Sequence, residues 1–169
     1  MPGMSTVECG TGGGSGFEAG PARPDEAQAV ADAVTALLRE LRGDASHTIP
    51  GLGAAVADAI AGRDGAGVLV ARDEGGRVAG VLGYTTQTAL RLAAPYRHVQ
   101  ELWVEPGLRS KGVAALLLAE LDALCAADGV RRVEVCLPSE QFPSYPRTLA
   151  FYERSGFRAI GPRVIKDLS

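Results

Sequence analysis

Between His98 and Gly129 the chain passes from a strand through a short loop into a long helix, and no other segment constrains the fold as strongly. His98 to Glu105 reads as a strand that stops at Pro106-Gly107. A helix begins at about Gly112 and runs to Asp128, with Gly129 just past it as a stop. Val113, Leu116, Leu117, Leu121 and Leu124 supply its buried stripe. The first N–H groups of such a helix have no partners within it. They point outward along the axis, and the helix dipole adds positive potential, so the junction is an anion site. Gly112 lets a bulky anion approach the backbone closely, Ala114 keeps the second turn narrow, and Arg109 and Lys111 add charge at the rim. A pyrophosphate fits such a site. The loop alone leaves the ligand class open, because Gly112 could equally serve tight helix packing. It is neither a Walker loop nor the dinucleotide glycine fingerprint.

The flanking segments predict one mixed domain. Met1 to Gly16 is rich in Gly, Ser and Thr and is expected to be a mobile tail, with the domain running from Phe17 to Ser169. A short strand is expected over Phe17 to Ala22. Pro24-Asp25-Glu26 then opens a helix that ends at Gly43. A second helix is expected over Leu52 to Ala61. Gly67 to Ala71 and Arg77 to Gln87 read as a hairpin around Asp73-Glu74-Gly75-Gly76, with Pro95 interrupting any continuation. Arg131 to Leu137 reads as a strand, Arg147 to Ser155 as a helix, and Phe157 to Ile165 as a final strand or two. The order is that of a mixed α/β domain, one layer of sheet with helices on its faces.

Composition narrows the function classes. The 169 residues suit one domain with a real core, and a net charge of −3 gives no reason to expect nucleic acid as a partner. No apolar run reaches membrane-spanning length, and the N-terminus lacks the pattern of a signal peptide. Cys9, Cys125 and Cys136 are odd in number and widely spaced, so neither a disulfide framework nor a metal site is expected. A reducing cytoplasm is the simpler location.

Glu101-Leu102-Trp103-Val104-Glu105-Pro106-Gly107-Leu108-Arg109-Ser110-Lys111-Gly112-Val113-Ala114 closely resembles the core motif of the GNAT superfamily of N-acetyltransferases. Ala150-Phe151-Tyr152-Glu153-Arg154-Ser155-Gly156-Phe157 resembles that family's closing helix. The departure is Ala114, where glycine is more usual. The resemblance implies a mostly antiparallel central sheet with helices on both faces and a splayed fourth and fifth strand. It implies acetyl-coenzyme A as cosubstrate, with no metal. Pantetheine would pair with main-chain groups of Leu102, Trp103 and Val104. The pyrophosphate would rest on N–H groups of Arg109, Ser110, Lys111, Gly112, Val113 and Ala114.

Members of that family let an amine attack the thioester directly, so none of the cysteines needs a nucleophilic role. Tyr152 matches the tyrosine that many members use as general acid toward sulfur; its alternative use is to pack the last helix against the sheet. A phenol stays protonated where a thiol would not. An ammonium must lose a proton before it can attack. Glu101 stands where several members carry a glutamate acting through water, and His98 is the competing base. Strict alternation would put Val99, Glu101, Trp103 and Glu105 on one face. The acceptor pocket is expected near His47, Tyr84, Thr86, Gln87 and Tyr96, with the segment Ser139 to Pro146 covering its mouth or serving as a plain connector. The acceptor is expected to be a small-molecule or peptide amine. A non-catalytic acyl-coenzyme A sensor of the same fold is the alternative. Dimers are common in the family, which makes a homodimer one arrangement open to the chain.

Overall fold

The computed structural model of the chain describes residues 16–167. Apart from Gly16, the tail expected at Met1 to Gly16 lies outside the described residues. The strands are β1 (Phe17–Pro21), β2 (Ala66–Asp73), β3 (Val78–Ala89), β4 (Ala94–Val104) and β5 (Val133–Val135). The helices are α1 (Ala27–Arg42), α2 (Leu52–Ile60), α3 (Val113–Ala127) and α4 (Tyr145–Arg154). The sheet runs β1-β2-β3-β4-β5 in space, antiparallel throughout except for the parallel pair β4–β5. Among the described residues, no helix is long and apolar enough to cross a membrane.

Each face of the sheet has its own apolar layer. Val68, Val70 and Val81 meet Val30, Ala33 and Val56 of α1 and α2. Leu69, Leu82 and Val99 meet Leu117 and Leu121 of α3 and Tyr152 of α4 on the opposite face. The alternation of Val68, Leu69 and Val70 between these layers is the period of two that a strand imposes. Buried charges tie the layers at two corners. Arg72 Nε donates to Glu26 at 2.6 Å, and both side chains are largely buried. Arg97 pairs with Asp128 at the end of α3 and lies 4.9 Å over the Tyr84 ring.

Three sequence expectations change. Pro95 does not interrupt the strand: β3 and β4 form a hairpin whose pairing reaches Ala89 and Ala94, with Pro95 opposite Thr88. Pairing with β5 starts only at Arg97, so β4 is an edge at Pro95 and the missing N–H is tolerated. The strand expected at Arg131 to Leu137 shortens to Val133–Val135. No strand forms over residues 157–167 of the described chain; Ile160, Val164 and Ile165 there are exposed and add no apolar layer that would hold them to the sheet.

The alternation in β4 also breaks. Gly83 faces Glu101 but Tyr84 faces Val99, so Gln100 is an extra residue in β4. Such a bulge bends the strand and re-aims the side chains beyond it. Val99, Leu102 and Val104 therefore share the α3 layer, while Trp103 packs in the α1–α2 layer. Only three residues of β4 pair with β5, namely Arg97, His98 and Val99. Beyond Val99, β4 continues to Val104 without a β5 partner, and the two strands splay apart.

Candidate active site

The splay leaves one edge of β4 open just before the loop that leads to α3. Leu102, Trp103 and Val104 pair with Leu82, Val81 and Gly80 on one edge of β4, and their other edge faces the gap. Glu105 follows with its N–H bonded to the Ala79 carbonyl at 3.0 Å, and a tight turn at Pro106–Leu108 directs the chain toward α3. Ser110 and Gly112 then adopt left-handed backbone, at φ 65° and 86°. A left-handed Gly112 fits its lack of a Cβ, whereas Ser110 is strained there. The first helical bond is from the Leu116 N–H to the Gly112 carbonyl, 2.9 Å. No backbone carbonyl among the described residues takes the N–H groups from Ser110 to Ala115. Together with the dipole of the 15-residue α3, these unclaimed donors give the start of the helix positive potential.

The charges around this loop are arranged differently from the sequence expectation. Arg109 does not stand free at the rim. Its Nε donates to the Val104 carbonyl at 3.1 Å, and Nη1 and Nη2 grip the Glu40 carboxylate at 2.9 and 2.6 Å. The fork ties the end of α1 to the end of β4 and sets the loop's start. Lys111 is exposed. Arg147, in the first turn of α4, donates to Ser110 Oγ at 2.5 Å and brings a second exposed cation to the loop. Sequence reading missed Glu40 and Arg147. Arg147 did carry a signal, because a cation in a helix's first turn opposes the dipole and needs another reason to be there.

Tyr152 is buried in α4 between the rings of Phe151 and Phe157, both edge-on at 5.2 Å. Burial pushes its hydroxyl well above the ordinary phenol range. It therefore stays protonated at any physiological pH. Glu101 sits on the α1–α2 side, over Gly83. A Cβ at Gly83 would collide with Glu101 Oε2, so the glycine makes the room that the carboxylate occupies. Burial raises the Glu101 carboxyl above its usual range, and among the described residues no neighbouring charge offsets this. A carboxylate of that kind is suited to accept a proton.

Glu101 also lines a cavity of about 210 Å³ between α1, α2 and the sheet. His98 does not reach that cavity. It is buried, with its Nε2 3.3 Å from Cys136 Sγ, and burial and then the Arg163 charge lower its proton affinity. Of the residues expected around the acceptor, Tyr84 lines the cavity, joined by Thr85. His47 stands apart on the α1–α2 connection, and Tyr96 and Gln87 bond to each other at 2.7 Å on the β3–β4 hairpin. Among the described residues, no group of three or more His, Cys, Asp or Glu side chains is placed to hold a metal ion.

The family model of the GNAT acetyltransferases matches residues 33–157, which run from within α1 to just past the end of α4. The chain belongs to the GNAT acetyltransferase family. Solved GNAT-like structures superpose over nearly the whole chain. A chain described as a possible acetyltransferase of Clostridium difficile 630 is 16% identical, with a TM-score of 0.75, covering 90% of this chain and 97% of that one. An aminoglycoside acetyltransferase from an uncultured soil metagenomic sample is 19% identical, with a TM-score of 0.72, covering 90% and 99%. Glucosamine-6-phosphate N-acetyltransferase of Arabidopsis thaliana is 17% identical, with a TM-score of 0.67, covering 90% and 99%. Identities this low establish a shared GNAT fold. No curated protein matches the sequence.

Proposed function

We propose that the protein is an acetyl-coenzyme A-dependent N-acetyltransferase that acts on a primary amine by direct attack. The observation that carries this reading is the arrangement of one strand. β4 presents Glu101 to the cavity, leaves a free edge through Val104, and leads into the anion loop at Ser110 to Ala115. A coenzyme's pyrophosphate suits a loop with six unclaimed N–H donors and two nearby cations, Lys111 and Arg147. Its pantetheine amides suit the free edge of β4.

Bound acetyl-coenzyme A supplies an acyl group already activated as a thioester. The residues of the chain then have two proton tasks. Glu101, with its raised proton affinity, takes the ammonium proton so that the nitrogen lone pair can form the new C–N bond. Tyr152 Oη gives a proton to the sulfur that departs as the C–S bond breaks, and the second proton that nitrogen loses as the amide forms restores the phenol. His98 is the weaker base candidate, since its imidazole lies outside the cavity against Cys136. A cytoplasmic location accords with this cosubstrate.

Thiol release from acetyl-coenzyme A across an amine library tests the activity. Glu101→Gln is expected to lower kcat by about 10²-fold or more while coenzyme A affinity is kept. If neither wild type nor variant releases thiol with any amine but both bind coenzyme A, the chain is the non-catalytic sensor instead.

A further inference from the structure

The cavity beside Glu101 also defines what can enter it. Val30, Val34, Leu52 and Val56 wall it from α1 and α2, and Val68 and Val81 wall it from the sheet. Besides Glu101, its polar side chains are Tyr84, Thr85 and Gln100. Thr85 Oγ1 accepts from Gln87 at 3.0 Å and from Gln100 at 3.1 Å, so these groups already engage one another. Among the described residues, Glu101 is the one charged residue on the wall, and burial raises its proton affinity.

One carboxylate in an aliphatic wall matches one ammonium. A second ammonium on the same molecule would find no second carboxylate, only the neutral groups of Tyr84, Thr85 and Gln100 and the aliphatic wall, and would lose hydration for little in return. Size bears on amino sugars. A volume of about 210 Å³ holds about seven waters and falls below the roughly 300–1,000 Å³ of sites for drug-sized ligands. A multi-ring amino sugar would leave much of its body outside it.

We infer that the acceptor is a small primary monoamine on an apolar aliphatic or aromatic body, and not a polyamine or an amino sugar. The placement of its nitrogen at Glu101 rests on the function proposed above. The apolar body occupies the gap between α1, α2 and the sheet, which orients the nitrogen toward the β4 edge.

Isothermal titration calorimetry on the full chain without coenzyme, at neutral pH, tests the preference by binding alone. The probes are 2-phenylethylamine, hexylamine, spermidine and kanamycin. The two monoamines are expected to bind about tenfold or more tightly than the two polycations. Ala59→Glu places a second carboxylate on the α2 wall. It should bring the diamine of hexylamine's chain length up by about tenfold relative to hexylamine. Equal or tighter binding of spermidine or kanamycin overturns the assignment, as does the absence of binding by either monoamine. Acetyl transfer to the polycations alone would overturn it while keeping the acetyltransferase. A monoamine preference in calorimetry without transfer to any amine would remove the activity and leave the pocket's selectivity standing.

Discussion

Replacing Gly83 with alanine perturbs Glu101 without altering Glu101 itself. Gly83 lies in β3 directly opposite Glu101, and its backbone is not left-handed, so alanine suits the strand. The three atoms nearest a Cβ there all belong to Glu101. Oε2 would collide, while Cδ at 3.5 Å and Cβ at 3.8 Å are in ordinary contact. The methyl therefore displaces the end of one flexible side chain and no backbone. Stability should change by less than about 1 kcal/mol, with the loss of glycine's unfolded-state freedom helping the variant. Catalysis should suffer much more. A shift of about 1 Å in a reacting group can lower the rate about 10²-fold. On that basis kcat falls by about 10²-fold, or about 2.7 kcal/mol of barrier. Thiol release gives kcat, and urea unfolding gives stability. Because Glu101→Gln removes the same function, the double variant should lose no more than the worse single one. A Gly83→Ala enzyme within about threefold of wild type would falsify the role given to Glu101, and so would additive losses in the double variant. The pH profile supplies a second check. Burial raises the Glu101 carboxyl, so kcat/KM should climb with pH through that raised value and reach a plateau above it. Glu101→Gln should erase this limb.

Tyr152→Phe keeps the ring contacts with Phe151 and Phe157, so the Tm should stay within a few degrees while kcat falls by about 10- to 100-fold; unchanged turnover would leave Tyr152 a packing residue. Arg147→Ala removes the cation bonded to Ser110 and should weaken coenzyme A binding by about tenfold in calorimetry, more at low salt than at high salt; equal Kd values would separate Arg147 from the anion loop. Glu26→Gln leaves the buried Arg72 without its counter-charge and should cost about 3 kcal/mol in urea unfolding. Arg72 lowers the Glu26 carboxyl below its ordinary 4.5. Its stabilisation is therefore fully present above the unfolded-state value and disappears as pH falls through the lower folded one. Wild-type stability should drop with acid in that window, and the drop should be shallower in Glu26→Gln.

Local signals carried much of the architecture. Pro106-Gly107, Gly112, Gly129 and the stripe from Val113 to Leu124 make a strand, a loop and a helix by neighbour effects alone, and α3 runs Val113–Ala127 as that pattern requires. The anion loop was legible for the same reason, since unpaired N–H groups follow from any helix start. Long-range pairing decided the rest. The bulge at Gln100 exists only because β3 and β4 pair in a register that leaves one residue over, and it separates Val99 from Glu101 although strict alternation joins them. The cavity is a space between α1, α2 and three strands, and no stretch of sequence encodes a space. Arg109 meets Glu40 across 69 positions and Arg147 meets Ser110 across 37, so neither partner could be named from its own neighbourhood. By itself the sequence determined most of the elements and the loop, because backbone preference and periodicity are local, and its resemblance to the family's motifs supplied the candidates Glu101 and Tyr152. Only the folded sheet decided which of Glu101 and His98 faces the cavity, because a side chain's surroundings are set by residues distant in the chain.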